Sequence, residues 1–314
     1  MTQKKRWMAM TAIARRNGKT WKKIAKGATP YLLVLPVVLY YAAFWLRPVL
    51  SSVIASFTGA AGQFTLENFS LVFHEEHFVA AVRNTAIIVV FSVTLEFFGA
   101  LFLALLINRK FKGSNLFLFL AMIPMALPAA AAGAMWTTGL TAHGWMNSLL
   151  GYLGILAEGE KIYWLVGSDA KLLTTLIVID AWQVIPSVMI ILLAGLQNIQ
   201  EEVKEAGYVF GGNYLHVLRK ITLPLLKPTI TTAIILRLIS AIQIWLIMVF
   251  LFGFSRLPVL LERVVYYTKE VKGLYVAGQM AAGYTLVVAA VVSLAALVYL
   301  QVSGAFKREK EQLT

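Results

Sequence analysis

Apolar residues in this chain gather into six long runs separated by short polar stretches. They lie at about Pro30–Ser52, Thr85–Ile107, Leu116–Thr138, Leu172–Leu196, Thr229–Phe252 and Gln279–Val302. Each is close to the ~20 residues that a helix needs to cross ~30 Å of hydrocarbon. The pattern predicts an all-α polytopic membrane protein with six transmembrane helices. Pro124, Pro128 and Pro186 fall inside predicted spans. Such prolines are tolerated where neighbouring helices or water satisfy the freed carbonyls. Three parts follow: a basic tail over 1–29, a six-helix domain over 30–303, and a short tail over 304–314.

Composition supports the class, with 59% hydrophobic and 14% charged residues in 314. Cysteine is absent, which excludes disulfides and thiolate metal sites. The net charge of +13 need not imply nucleic acid, because Lys and Arg mark the cytoplasmic loops of polytopic proteins. Lys4 to Lys26 carries nine of them, and no small-residue cleavage pattern follows the first apolar run. That segment, the second loop, the loop after Leu196 and the C-terminus together hold nineteen basic residues, against seven in the opposite loops. With an even number of spans, both termini are expected in the cytoplasm.

The most polar stretch of the second half is EEVKEAGYVFGGNYLHVLRKITLP, Glu201 to Pro224. Val203, Ala206, Gly207 and Phe210 fall at i, i+3, i+4 and i+7, one stripe of a short helix. Ala206 and Gly207 make that stripe shallow, so another surface can approach closely. Gly211-Gly212 ends the helix, since glycine accepts left-handed dihedrals. Asn213 suits the N-cap of a second short helix through Lys220, and Pro224 and Pro228 set the entry to the fifth span. Pattern alone also fits an amphipathic helix resting on lipid headgroups.

The full spacing is more specific. Glu205-Ala206-Gly207, Gly211 four residues on, and Ile221-Thr222-Leu223-Pro224 resemble the "EAA" loop of permease subunits of binding-protein-dependent ABC importers. The resemblance extends through Asp180-Ala181-Trp182-Gln183-Val184-Ile185-Pro186, Ala194-Gly195-Leu196, Thr65-Leu66-Glu67-Asn68-Phe69 and Arg83-Asn84-Thr85. The chain looks like the maltose-type, sugar-importing branch from about Tyr31 onward. It departs from the pattern at Gly207, usually a third Ala, at Phe210, usually Asp, and at Gln200, usually Pro.

The resemblance implies the type I ABC importer permease fold in a bacterial or archaeal inner membrane. It implies an EAA coupling loop over 197–228, with Glu202, Val203, Glu205, Ala206, Gly207, Phe210 and Gly211 contacting a cytoplasmic ATPase dimer. It also implies a homologous second permease and an extracytoplasmic solute-binding protein. The sequence has no GxxxxGK[ST] loop to cradle phosphates, so ATP and Mg2+ are expected on the partner ATPase and no cofactor in this chain. The surrounding lipid is a further expected partner, and nucleic acid is not.

Ionisable groups at membrane depth are costly and usually face a bundle interior or cavity. They are Glu96, Asp180 and Arg237. Counting from the EAA motif places the family's central sugar site at Asp180, Gln183 and Ser187 of span four and at Ser240 and Gln243 of span five. Trp182 or Trp245 could supply an apolar face for a pyranose. The alternative for each residue is interhelical glue, such as an Asp180–Arg237 pair, and Glu96 is expected to be structural. Arg237, the one cation inside a predicted span besides Arg47 near an end, keeps a phosphorylated polyol such as glycerol phosphate open as substrate. A self-contained secondary transporter is a further alternative. His74-Glu75-Glu76-His77 has metal-like spacing but lacks a third ligand, and is expected to be a solvated or binding-protein-facing loop. Trp7, Trp21, Trp164 and Tyr266-Tyr267 are expected as interfacial anchors.

Overall fold

Residues 29–59, 61–271 and 275–304 are described by the computed structural model. The basic leader with Trp7 and Trp21, and the C-terminal tail beyond Gly304, lie outside them. The chain divides into two compact units, one ending at Ala55 and one beginning at Ser56. The helix of the first unit, α1 (Thr29–Ser56), is long and apolar enough to cross a membrane. It widens to a π turn at Ala42–Leu46. The cause is Pro48: its ring clashes with the carbonyl four residues back, and the wider turn moves that carbonyl away.

The second unit is helical, with one isolated antiparallel bridge between Thr58 and Phe64. Its elements are α2 (Glu67–Phe73), α3 (Phe78–Asn108), α4 (Ser114–Ala126), α5 (Ala129–Gly139), α6 (Trp145–Tyr152) and α7 (Asp169–Gln197). There follow α8 (Glu201–Val209), α9 (Tyr214–Ile242), α10 (Leu246–Phe252), α11 (Leu260–Val265) and α12 (Tyr275–Ser303). Helices α3, α7, α9 and α12 are each long and apolar enough to span.

Two of the six predicted spans change form. The third breaks into α4 and α5, bent by 92°. Proline at 128 disfavours helical dihedrals at the residue before it, and Leu127 is extended at φ −80°, ψ 128°. The fifth begins earlier than Thr229 and stops at Ile242, with α10 resuming after Gln243-Ile244-Trp245. The expected second loop helix is the first turn of α9. Asn213 caps it, its side chain accepting from the His216 N–H at 2.9 Å. The helix then passes Pro224 through a π turn at Leu218–Thr222 without ending. Span two begins at Phe78, so Arg83-Asn84-Thr85 lies within it.

Helices α3 and α7 form the most extensive packed pair, and α9 lies against both. Two apolar clusters stabilise this triple. One gathers Ile88, Leu172, Leu176, Ile179 and Met248. The other gathers Ala100, Ala104, Met189, Leu192 and Leu226. A third cluster, with Val72, Ala81, Leu260 and Tyr284, joins α2 and α11 to α12.

Glu75 departs from the expectation of a solvated loop. Its side chain is 8% exposed and accepts from Tyr284 at 2.7 Å and Tyr267 at 3.2 Å, with Arg263 at 3.4 Å. Burial, then the charge of Glu75, pushes the Tyr267 hydroxyl up to about 12, so it stays protonated and donates. Among the described residues no cluster of metal-ligating side chains forms. Trp164 and Tyr267 are half-buried, Trp164 donating to Asn147 at 3.2 Å.

Candidate functional site

A polar layer crosses the triple between its two apolar clusters. Ser92 and Glu96, one turn apart on α3, meet Asp180 of α7 and Arg237 of α9. Arg237 bonds to both Glu96 and Asp180, its Nη2 lying 2.9 Å from Glu96 Oε1. Ser92 Oγ lies 2.6 Å from Glu96 Oε1 and 2.9 Å from Asp180 Oδ2. Glu96 is fully buried, and Asp180 and Arg237 are each 6% exposed. Two carboxylates therefore share one guanidinium. The sequence leaves an Asp180–Arg237 pair as the alternative to a solute-binding role; the structure forms that pair and adds Glu96 as an equal partner and Ser92 as the bridge.

Beside this layer lies a cleft of about 480 Å³ where the two broken spans face α7. Asp180, Gln183, Ser187 and Gln243 line it, together with Trp245. Four of the five predicted substrate residues thus come together. Ser240 does not line the cleft; it accepts from Arg237 Nη1 at 3.2 Å and donates to the Arg237 carbonyl. Gln183 spends one amide hydrogen on the Leu127 carbonyl at 2.9 Å, which caps the bend between α4 and α5. Ser187 donates to the Val184 carbonyl at 2.8 Å. Gln243 is exposed at the C-terminus of α9. Trp182 is not at the cleft: it packs edge-on against Trp136, ring centres 5.3 Å apart. Trp245 is the indole that lines it.

The second candidate region is α8. Gly211 stands at φ +84°, and the Gly211 and Gly212 N–H groups donate to the Tyr208 and Gly207 carbonyls at 2.9 and 3.0 Å. That pair of bonds is a Schellman ending, which requires the left-handed residue found here. Glu202, Val203, Glu205 and Ala206 are exposed, and Phe210 is 89% exposed. Gly207 turns inward instead. A Cβ there would lie 2.5 Å from Ile221 Cδ1 and 3.1 Å from Val217 Cγ2, so the close approach it permits is to α9 of its own chain. Val209, 84% exposed, joins the outer face, although its position off the predicted stripe had hidden it.

Residues 96–309 match the family described as binding-protein-dependent transport system inner membrane component. A probable ABC transporter permease, y4oQ of Sinorhizobium fredii, is 36% identical over 211 residues, covering 67% of this chain and 65% of that relative. The trehalose/maltose permease MalF of Thermococcus litoralis is 29% identical over 71% of this chain and 76% of its own length. The lactose permease LacF of Rhizobium radiobacter is 29% identical over 68% and 73%. Among solved structures, a chain of a bacterial ABC transporter that imports alginate superposes with a TM-score of 0.77 at 20% identity. That match covers 91% of this chain and 99% of that one, and shows the same fold. With the family match spanning most of the chain, this multi-pass membrane protein belongs to the binding-protein-dependent transport system inner membrane components, the permease subunits of ABC transporters.

Proposed function

We propose that the chain is one permease subunit of an ATP-driven importer for a neutral sugar or oligosaccharide. The observation that carries the substrate class is the chemistry of the cleft. Its carboxylate, Asp180, is committed to Arg237, so what it presents to a solute is amide and hydroxyl groups beside the Trp245 indole. Hydroxyl-rich, uncharged solutes suit such a lining. The trehalose/maltose and lactose permeases among its relatives point the same way. A phosphorylated polyol fits poorly, because Arg237 is already shared by two carboxylates and no unpaired cation lines the cleft among the described residues. Membership of the family also displaces the self-contained secondary transporter.

In this reading the N- and C-termini face the cytoplasm, and the exposed face of α8, with Glu202, Glu205, Ala206, Val209 and Phe210, seats in an ATPase dimer. That dimer supplies ATP and Mg2+. A homologous permease closes the other side of the path, and an extracytoplasmic binding protein delivers solute. Val203 borders that face, while Gly207 and Gly211 set its position and end. The test is a thermal-shift screen of the cognate binding protein against sugars and sugar phosphates, followed by uptake of the hit into proteoliposomes holding the full assembly. Stabilisation by a neutral sugar that is then imported supports the reading. Import of a phosphorylated solute, or uptake by this chain without ATPase, overturns it.

A further inference from the structure

A second groove, of about 510 Å³, lies behind α7. Lys171, Thr174 and Val178 line it at spacings of three and four residues. At 100° per residue they centre half a turn away from Asp180, Gln183 and Ser187, so the groove opens on the face opposite the sugar cleft. Its other walls are Trp136, Met146 and Trp164. The Thr174 hydroxyl turns back to the Ala170 carbonyl at 2.8 Å, leaving its methyl as wall. Apart from Lys171 at one end, the lining is apolar.

That end is cationic. Lys171 Nζ donates to the Tyr163 carbonyl at 2.6 Å, a neutral partner, and forms no ion pair among the described residues. Nearby, Arg256 and Arg83 share Asp169 at 2.9 and 3.5 Å. Asp169 projects about 160° round α7 from Lys171, so that trio stands apart and Lys171 is the basic group lining the groove, at the end remote from α8. Trp136 holds a buried Nε1–H without a hydrogen-bond partner among the described residues. From Lys171 to Ile179 the groove runs eight residues, about 12 Å along the helix, close to the ~15 Å depth of one leaflet.

We infer that this groove holds one acyl chain of an anionic phospholipid whose phosphate pairs with Lys171. Charge complementarity at the mouth and the match of groove length to one leaflet select this occupant. Through Trp136, which touches Trp182 beside Gln183, the lipid bears on α7 from behind the cleft. The inference rests on the membrane-spanning reading and is independent of which solute is carried.

The test uses the intact transporter purified into micelles containing equal phosphatidylglycerol and phosphatidylcholine, with retained lipids counted by native mass spectrometry. The expected result is a retained phosphatidylglycerol that Lys171→Glu weakens about fivefold or more relative to phosphatidylcholine. Val178→Trp, which fills an exposed part of the groove, should remove one lipid per chain of either kind. Lys171→Gln replaces the reversal if the assembly does not form with glutamate. Unchanged retention in both variants overturns the proposal. So does an equal loss from Lys161→Glu, outside the groove, since that would report general surface charge. The chain has no native cysteine, so Val178→Cys would be its sole thiol. A cross-link from it to the second permease, with lipid excluded, also overturns the proposal.

Discussion

Replacing Arg237 by glutamine should be the most damaging single change inside the membrane. The substitution leaves Glu96, fully buried, and Asp180, 6% exposed, facing one another with Ser92 between them. Removing one partner of a buried ion pair costs about 3–5 kcal/mol, because the remaining charge has no compensation. Asp180→Asn is different. Arg237 keeps Glu96, and the loss is one charge-assisted bond, about 1.5–3 kcal/mol. Glu96→Gln should resemble it for the same reason. At roughly 2–4 °C per kcal/mol, Arg237→Gln should lower the melting temperature of the purified assembly by about 6–20 °C. The single carboxylate variants should lose about half as much. Glu96→Gln with Asp180→Asn should be as severe as losing Arg237, since the guanidinium is then stranded. Adding Arg237→Met to that pair should restore much of the stability, because the layer then has no charge to bury. Detergent-resistance melts followed by size-exclusion chromatography give the ranking. If Arg237→Gln and Asp180→Asn melt together, the two carboxylates are not sharing one cation.

Other expectations follow from the two candidate regions. Gly211→Leu should cost about 1–2 kcal/mol at its φ of +84° and abolish ATP-dependent uptake without affecting insertion, measured as transport per inserted protein. Phe210→Ala should reduce co-purification of the ATPase several-fold, because an 89% exposed apolar contact is truncated; equal recovery would remove Phe210 from the docking face. Gln243→Ala should lower uptake several-fold while leaving binding-protein affinity and ATPase coupling intact. Gln183→Ala should do the same and also lower stability by about 1 kcal/mol, since the Leu127 carbonyl loses its donor.

The spans and the loop were legible because each is written in consecutive residues. Twenty apolar positions, a shallow stripe and two glycines are local signals, and α7, α8 and α12 appear close to where the pattern puts them. The bend at Leu127 was signalled by Pro128 but depended on Gln183, 56 residues away, to cap the freed carbonyl. The break after Ile242 carries neither proline nor glycine in QIW, so no local signal announces it. Glu96 looked isolated because its partners are 84 and 141 residues distant; only packing shows that Ser92 and Glu96 share a face with Arg237. Gly207 had the right character for a close approach, but its neighbour is the same chain.

The uninterrupted course of α9 makes it a lever. Its 29 residues span about 43 Å, from the Asn213 cap beside α8 to Gln243 at the rim of the cleft. Had the loop held a separate short helix, motion there would be absorbed at a joint. With the π turn carrying the helix past Pro224, a tilt of about 5° about Arg237 corresponds to about 3 Å of travel at the loop end, about 34 Å away, and to less than about 1 Å at Gln243. The polar layer sits near the far end, where Arg237 binds α9 to α3 and α7, and so acts as the fulcrum. A stroke of a few ångströms at the loop is thereby geared down to a small displacement of Gln243, so the lever trades distance for force at the rim of the cleft.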